Sequence, residues 1–366
     1  MMNVISHIQC NSRGSIVKIF TPLLLLVCIC IITLKNIAKI TITPKPVTKH
    51  KSSPLSSFQI ATWNIRVPFP IDNDNGHAYS SRMPCIAQTI SIHKPDILGL
   101  QEDCYFTNQD LLFFKDTNLY KYYERYGLFN RNGESYPSKS WPENAFTNDG
   151  MNDGEHNSVW WRKDKFTCLD TFTFWLSNHP NIPGSSFDEI TGRIVNCVLL
   201  QDILHNKHVL GFCSTHMPAN DTKIDISINV LEQQLIKWRE KISNPKMVLF
   251  VVGDFNFNPS SFLYINMKQH DFLDLRSISP LRGDNIDTTT NDWYKPYNQI
   301  LDYVWSLDDH SSSATQSSLI RINSIRHISA RAELSSQQSN NYNNIPMSIQ
   351  KTASDHLMVL NNVSWL

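Results

Sequence analysis

Met247-Val248-Leu249-Phe250-Val251-Val252-Gly253-Asp254-Phe255-Asn256 is the stretch on which the reading of this chain turns. Its apolar, β-branched and aromatic run predicts a buried strand. The run stops on a glycine and then places a carboxylate and an amide at the open end of the strand. A buried carboxylate is costly unless it is paired, hydrogen-bonded or bound to a metal. Asp254 therefore calls for a chemical role. A turn in which Asp and Asn side chains bond their own backbone would explain this one place, but not the rest of the chain.

Outward from it the pattern recurs. Phe58–Trp63 ends on Asn64, and Ile97–Leu100 closes on Gln101-Glu102. Val209–Thr215 leads to His216, Ile300–Trp305 carries Asp302, and Ser354-Asp355-His356 precedes Leu357–Leu360. Six apolar runs thus bring Asn, Glu, His, Asp/Asn, Asp and Asp-His to or near their ends. An ordered set of this kind points to one polar site assembled from many strand ends.

The set resembles the endonuclease/exonuclease/phosphatase superfamily, which includes deoxyribonuclease I, apurinic endonucleases, neutral sphingomyelinases, inositol polyphosphate 5-phosphatases and the carbon catabolite repressor deadenylases. The stretches that carry the resemblance are Thr62-Trp63-Asn64-Ile65-Arg66, Leu98-Gly99-Leu100-Gln101-Glu102, Ser214-Thr215-His216, Gly253-Asp254-Phe255-Asn256, Leu301-Asp302-Tyr303 and Ser354-Asp355-His356. They run in family order from residue 57 to the C-terminus. Glu155–Phe166 resembles the family's central strand, and Thr173-Phe174-Trp175-Leu176-Ser177 is similar to a group near the deadenylase branch.

The resemblance implies an α/β fold: a four-layer sandwich of two packed, mainly antiparallel sheets flanked by helices, with the site at their shared edge. It also implies Mg²⁺, with Mn²⁺ as the substitute. Glu102 is the expected first ligand, since a hard carboxylate suits Mg²⁺, with Asn64 and Asp355 completing the metal environment. Asp254 would orient or deprotonate water, and Asn256 would hold that water or a phosphate oxygen. His356 would donate to phosphate or move a proton, with Asp302 fixing its tautomer, the usual office of a carboxylate behind a histidine. His216 would take up developing charge. Arg193 and His156 are candidate substrate-binding residues. Zinc-type Cys/His spacing and a phosphate-cradling glycine loop are both missing. The expected activity is Mg²⁺-dependent phosphodiester hydrolysis by in-line attack of water, in the manner of a 3′–5′ exoribonuclease of deadenylase type. Two readings stay open beside it: a lipid or small phosphoester substrate, and a catalytically silent binding module.

Charge bears on the substrate. The 366 residues sum to zero, yet residues 1–71 hold no Asp or Glu, and residues 52–366 hold 26 Lys/Arg against 33 Asp/Glu, a net charge of −7. An acidic domain lacks the basic footprint of a protein that grips long nucleic acid.

Ile19–Leu34 is apolar except for Thr21, Pro22 and Thr33; with its neighbours it reaches the ~17–25 residues that span a bilayer. The expected organisation is a tail and membrane anchor over 1–35, a basic linker over 36–56 and the catalytic domain over 57–366, with a disordered insertion at 335–354. More Lys follows the span than precedes it, which places the domain in the cytosol by the positive-inside rule. Cys85, Cys104, Cys168, Cys197 and Cys213 are an odd set in apolar settings and read as reduced thiols. Against this stand two glycosylation sequons, Asn220-Asp221-Thr222 and Asn362-Val363-Ser364, which keep a lumenal or secreted domain open. The membrane is an expected partner, and no obligate protein partner is called for.

Residues 224, 228, 231, 235, 238 and 242 form an apolar helical stripe. Pro84 reads as the first residue of a helix of ~10 residues that stops before Lys94-Pro95. Further strands are expected at 157–162, 167–176, 193–201 and 319–328. Loops are expected at Asn130–Gly154, Asn178–Gly192 and Ser335–Ser354, where they could frame a cleft.

Overall fold

A computed structural model describes residues 57–104, 111, 117–135, 155–187, 192–205, 208–242, 247–281, 288–291, 293, 296–297, 299–307, 320–328 and 353–365. The expected anchor and linker and most of the expected insertion lie outside the described residues. So do the centre of the Asn130–Gly154 loop and residues 188–191.

In chain order the elements are β1 (Ser57–Asn64), α1 (Pro70–Asp74), α2 (Tyr79–His93), β2 (Ile97–Cys104), a short 3₁₀ turn (Leu119–Lys121), β3 (Tyr123–Tyr126), β4 (Glu155–Arg162) and β5 (Phe166–Trp175). They continue with β6 (Ile194–Asp202), β7 (Val209–His216), α3 (Asp221–Ile242), β8 (Val248–Asp254), α4 (Phe262–Gln269), β9 (Phe272–Asp274) and α5 (Leu275–Ile278). The last are β10 (Thr290–Asn291), β11 (Pro296–Tyr297), β12 (Asp302–Leu307), β13 (Ile320–Ile328) and β14 (Met358–Trp365).

Two six-stranded sheets form, ordered β13-β14-β1-β2-β4-β3 and β5-β6-β7-β8-β12-β9. Each is antiparallel except for one central parallel pair, β1 with β2 and β7 with β8. Alternate residues along a strand face opposite sides, and the sequence supplies an apolar residue for each. Val248, Phe250 and Val252 enter the layer between the sheets with Ile60, Ile97, Val159 and Phe212. Leu249 and Val251 face α3, whose Ile224, Ile228, Leu231, Leu235 and Trp238 are all buried. Each such side chain contributes roughly 1.5–3 kcal/mol. On the far side Ala61, Leu98 and Leu100 pack on Ile86, Ala87 and Ile90 of α2. The result is the four-layer sandwich.

Gly99 lets the sheets approach closely, because a Cβ there would collide with Val252. In α3, Asp221 lies in the first turn and Arg239 and Lys241 in the last, matching the helix dipole at both ends.

Two sequence expectations need correction. Pro84 lies inside α2, which begins at Tyr79. The lost N–H is tolerated because this first stretch is tied down elsewhere: Arg82 donates to the carbonyls of His77, Ile65, Arg66 and Ala353. Second, Cys197 and Cys213 are joined in a disulfide. They are direct partners across β6 and β7 with Cα atoms 4.0 Å apart, a pairing that counting cysteines along the chain does not reveal. Cys85, Cys104 and Cys168 stay outside any disulfide.

Candidate active site

Asp254 is the last residue of β8, and its register explains its company. Its parallel neighbour in β7 is His216 and its antiparallel neighbour in β12 is Asp302. The ends of parallel strands and the starts of their antiparallel neighbours share one sheet edge, so three residues far apart in the chain form a single row. Gly253 permits this, because at φ +153° a Cβ would run into the Thr215 carbonyl oxygen. Just beyond, Asn256 adopts a left-handed φ of 57°. Its backbone N–H donates to Asp254 Oδ1 at 2.9 Å and its side-chain amide to the Met217 carbonyl at 3.0 Å. The Asp-Asn turn weighed above is therefore present, as part of a larger cluster.

The other sheet arrives at the same place by a different device. Asn64 ends β1 opposite Gln101 of β2. Between Leu100 and Asp103 the pairing of β2 with β4 slips, and Glu102 sits in this bulge at φ 53°. A bulge re-aims a side chain, and the left-handed backbone costs a non-glycine residue on the order of 1–3 kcal/mol. Glu102 Oε1 accepts a hydrogen bond from Asn64 Nδ2 at 2.9 Å, and Oε2 accepts one from Val67 N–H at 2.8 Å. The same Asn64 amide donates to Asp254 Oδ2 at 3.1 Å. One buried amide thus joins the carboxylates of both sheets.

His356 completes the cluster. Its Nδ1 lies 2.8 Å from Asp302 Oδ2 and its Nε2 3.7 Å from Asp254 Oδ2. His216 Nε2 lies 3.5 Å from the same Asp254 oxygen. The segment before β14 is clamped in place: Trp63 Nε1 donates to the His356 carbonyl, while Ser354 Oγ donates to the Asn64 carbonyl and accepts from His356 N–H. Thr289 Oγ1 accepts from the N–H groups of Leu301 and Asp302, which fixes the start of β12.

Burial and charge set the protonation states. Burial raises the Asp254 carboxyl to about 7, with Asp302 adding to the rise and His356 opposing it. Burial works against a charged His356, yet Asp302 and Asp254 outweigh it and lift the imidazole well above its ordinary value. Burial, then the charges of Arg193 and His356, push His216 down to about 3, leaving it neutral at pH 7. Burial also opposes the Glu102 charge, but His216, the bonds from Asn64 and Val67, and Arg66 bring it to about 2.

Asn64, Glu102, Asp254, Asn256, Asp302, His216 and His356 are therefore brought together. Asp355 turns to Arg66, 3.3 Å from its guanidinium, and burial raises its carboxyl. Arg193 stands close enough for its charge to act on His216 and Glu155. His156 does not open onto a cleft: it is 1% exposed and its Nε2 lies 3.6 Å from buried Asp103.

Two neighbours of the site escaped the sequence reading. Arg66, at φ 62°, bridges Asp72 and Asp355. Glu155, at the start of β4, is raised to about 7 by burial and then by Glu102. Both lie in stretches that carry the family resemblance, and only their spatial neighbours mark them out.

The carboxylate and amide oxygens gathered here are the donors a hard divalent cation takes. Asp254, Asp302 and His356 bring polar side-chain atoms within 4.8 Å of one another, and Asp302 is engaged with the His356 ring. Asp302 Oδ1 and His216 Nδ1 are buried without a hydrogen-bond partner. Such orphaned atoms call for an ion or water, so the residues fit a divalent cation.

The sequence profile of the Endonuclease/Exonuclease/phosphatase family matches residues 61–356. No curated protein matches the chain in sequence. Among solved structures, an endonuclease/exonuclease/phosphatase family protein from Bacteroides thetaiotaomicron superposes with a TM-score of 0.66 at 18% identity, covering 86% of this chain and 100% of that one. A mannosyl-6-phosphatase of the same organism gives 0.65 at 18% identity, with 84% and 100% covered. The human Nocturnin catalytic domain gives 0.54 at 17% identity, with 85% and 95% covered. At these identities the structures speak for the fold alone. Members of the matched family hydrolyse phosphoesters and generally use divalent metal ions. With the profile spanning nearly the whole described domain and the polar cluster at the shared sheet edge, this chain belongs to the endonuclease/exonuclease/phosphatase family of phosphoester hydrolases.

Proposed function

We propose that the chain is a Mg²⁺-dependent phosphodiesterase that attacks phosphorus in line with water. The observation that carries the reading is the Asn64 amide, shared between Glu102 at 2.9 Å and Asp254 at 3.1 Å. It makes one pocket from two sheets. Glu102 is the residue that would hold the cation, its carboxylate positioned by the Asn64 amide, and a bound cation neutralises phosphate charge and the leaving oxygen.

The other side chains have defined work. Asp254, ionised, aims water and accepts its proton. Asn256, with its amide engaged at Met217, offers its carbonyl oxygen to that water. His356, held cationic by Asp302, donates to a phosphate oxygen and supplies the charge that the transition state develops. His216, neutral, donates through a ring N–H. Arg66 and Arg193 add positive charge at the rim for the substrate's phosphate.

For the substrate, we take the 3′ end of single-stranded RNA as the first reading. It is supported by the deadenylase-like Phe174-Trp175-Leu176-Ser177 stretch and by likeness to Nocturnin. A small or lipid phosphoester is the second. It is favoured by the net charge of −7 over residues 52–366, by the apolar run Ile19–Leu34 read as a membrane anchor, and by likeness to a protein named as a mannosyl-6-phosphatase. The test is turnover of 5′-labelled RNA, sphingomyelin, inositol phosphates, a sugar phosphate and a chromogenic phosphodiester, each with Mg²⁺ and with chelator. Shortening of RNA alone removes the second reading. Turnover of the small esters alone removes the first. No turnover of any of them leaves the silent binding module.

A further inference from the structure

We infer that the catalytic domain matures in an oxidising, glycosylating compartment and carries an N-linked glycan on Asn220. Two independent observations meet here. The first is the Cys197–Cys213 disulfide, which crosses β6 and β7 with both residues fully buried. Disulfides form and persist in oxidising compartments and are rare in the cytosol. This pair faces the apolar layer under α3, among Val195, Leu235, Leu249 and Val251, so it belongs to the packed core. It forms when two thiols lose two protons and two electrons to the disulfide of a thiol oxidoreductase, which is reduced in exchange.

The second observation separates the two sequons. Asn362 lies within β14, an interior strand paired with β1 on one side and β13 on the other. Its side chain accepts from Asn323 Nδ2 at 3.1 Å, and Ser364 of the same sequon is buried at 3% exposure. A glycan has no room there. Asn220, Asp221 and Thr222 are all exposed, at the turn that opens α3. Asn220 caps that helix: its carbonyl accepts from Ile224 N–H at 2.9 Å and its Oδ1 from Lys223 N–H at 3.2 Å. Both bonds use oxygen, so Nδ2 is left to react, and the cap survives the modification.

The transfer balances simply. Asn220 Nδ2 forms a bond to the anomeric carbon of an oligosaccharide carried on a polyprenyl diphosphate. The bond from that carbon to the diphosphate oxygen breaks, the lipid diphosphate leaves with the electron pair, and one amide proton passes to a base. The lumenal topology left open by the sequence is the one this requires, with Ile19–Leu34 directing the chain to the membrane.

The experiment expresses the full chain with its own N-terminus in a eukaryotic cell. Gel mobility is read before and after a peptide N-glycosidase, and cysteine alkylation is read before and after reduction. The expected result is a single-step mobility gain on deglycosylation, absent in Asn220→Gln and in Thr222→Val, kept in Thr222→Ser and Asn362→Gln. Thr222→Val leaves the helix cap in place and so separates glycan loss from misfolding. Cys197 and Cys213 should alkylate only after reduction. A wild-type chain that shows no shift overturns the proposal, as does a shift that survives Thr222→Val, or free alkylation of both cysteines without reductant. None of these outcomes depends on which phosphoester is cleaved.

Discussion

The layer between the two sheets has two unlike ends. At one, Phe58, Phe166 and Trp365 pack ring on ring, with Phe58 5.0 Å from Trp365 and 6.0 Å from Phe166 between centroids. At the other, the same layer turns polar. Thr62 Oγ1 donates to Gln101 Oε1 at 3.1 Å, Gln101 Nε2 to Ser214 Oγ at 3.0 Å, and Ser214 Oγ to the Leu100 carbonyl at 3.2 Å. All of these residues are fully buried. The apolar end gains stability from area that any good packing could supply. The polar end gains position: Thr62 holds Gln101 within one sheet while Gln101 and Leu100 meet Ser214 of the facing sheet, which fixes the two sheets against each other beside Asn64. Buried, fully paired networks of this kind specify one arrangement at the cost of being intolerant to loss of any member.

Breaking the polar end should cost activity first. Asp254→Ala or His356→Ala is expected to lower phosphodiester turnover by about 10²–10⁴, the range for positioned acid–base groups, with folding retained by circular dichroism. Breaking the apolar end should do the reverse. Phe212→Ala, in the shared layer, is expected to cost about 3–5 kcal/mol in denaturant unfolding, while the folded fraction keeps its turnover. Gln101→Leu lies between. It leaves the Thr62 and Ser214 hydroxyls short of partners, at about 1–3 kcal/mol, and loosens the register behind Glu102. Both stability and turnover should fall together in that variant.

A smaller effect sharpens the contrast through pH. The Asp254 carboxyl is raised from an ordinary value of 3.8 to about 7 in the folded chain. The cation-free folded state then holds an extra proton between those values, so this group's contribution to stability is lost as pH rises through that window. Glu102 acts oppositely, lowered from 4.5 to about 2, so its contribution is lost only as pH falls through that range. Thermal melts of the chelated protein should drop between pH 5 and 7, and the slope should flatten in Asp254→Asn. Added Mg²⁺ should raise the melting temperature more at pH 7 than at pH 5. Equal slopes for the two proteins would contradict the buried-carboxyl reading.

Much of this was legible along the chain, because a strand in a doubly covered sheet must be apolar throughout and any polar residue at its end stands out. Asn64, His216, Asp254 and Asp302 were visible for that reason, and the strands expected at 157–162, 167–176, 193–201 and 319–328 begin and end within two residues of β4, β5, β6 and β13. Glu102 was visible as a residue but not as a conformation, since nothing local announces the bulge that turns it toward Asn64. Arg66 and Glu155 were hidden because their significance lies in far-off partners such as Asp355 and Glu102 or in burial. The start of α2 and the Cys197–Cys213 bond were misread for the same cause: Arg82's carbonyl contacts and the β6–β7 register are tertiary facts.

The most direct measurement is anomalous diffraction from crystals soaked in Mn²⁺. The expected result is a peak beside the Glu102 carboxylate, within the pocket bounded by Asn64 and Asp254, that is lost in Glu102→Gln. A soaked crystal with no peak there, or with Mn²⁺ bound only at a distant surface carboxylate, would contradict a single cation-centred site built from both sheets.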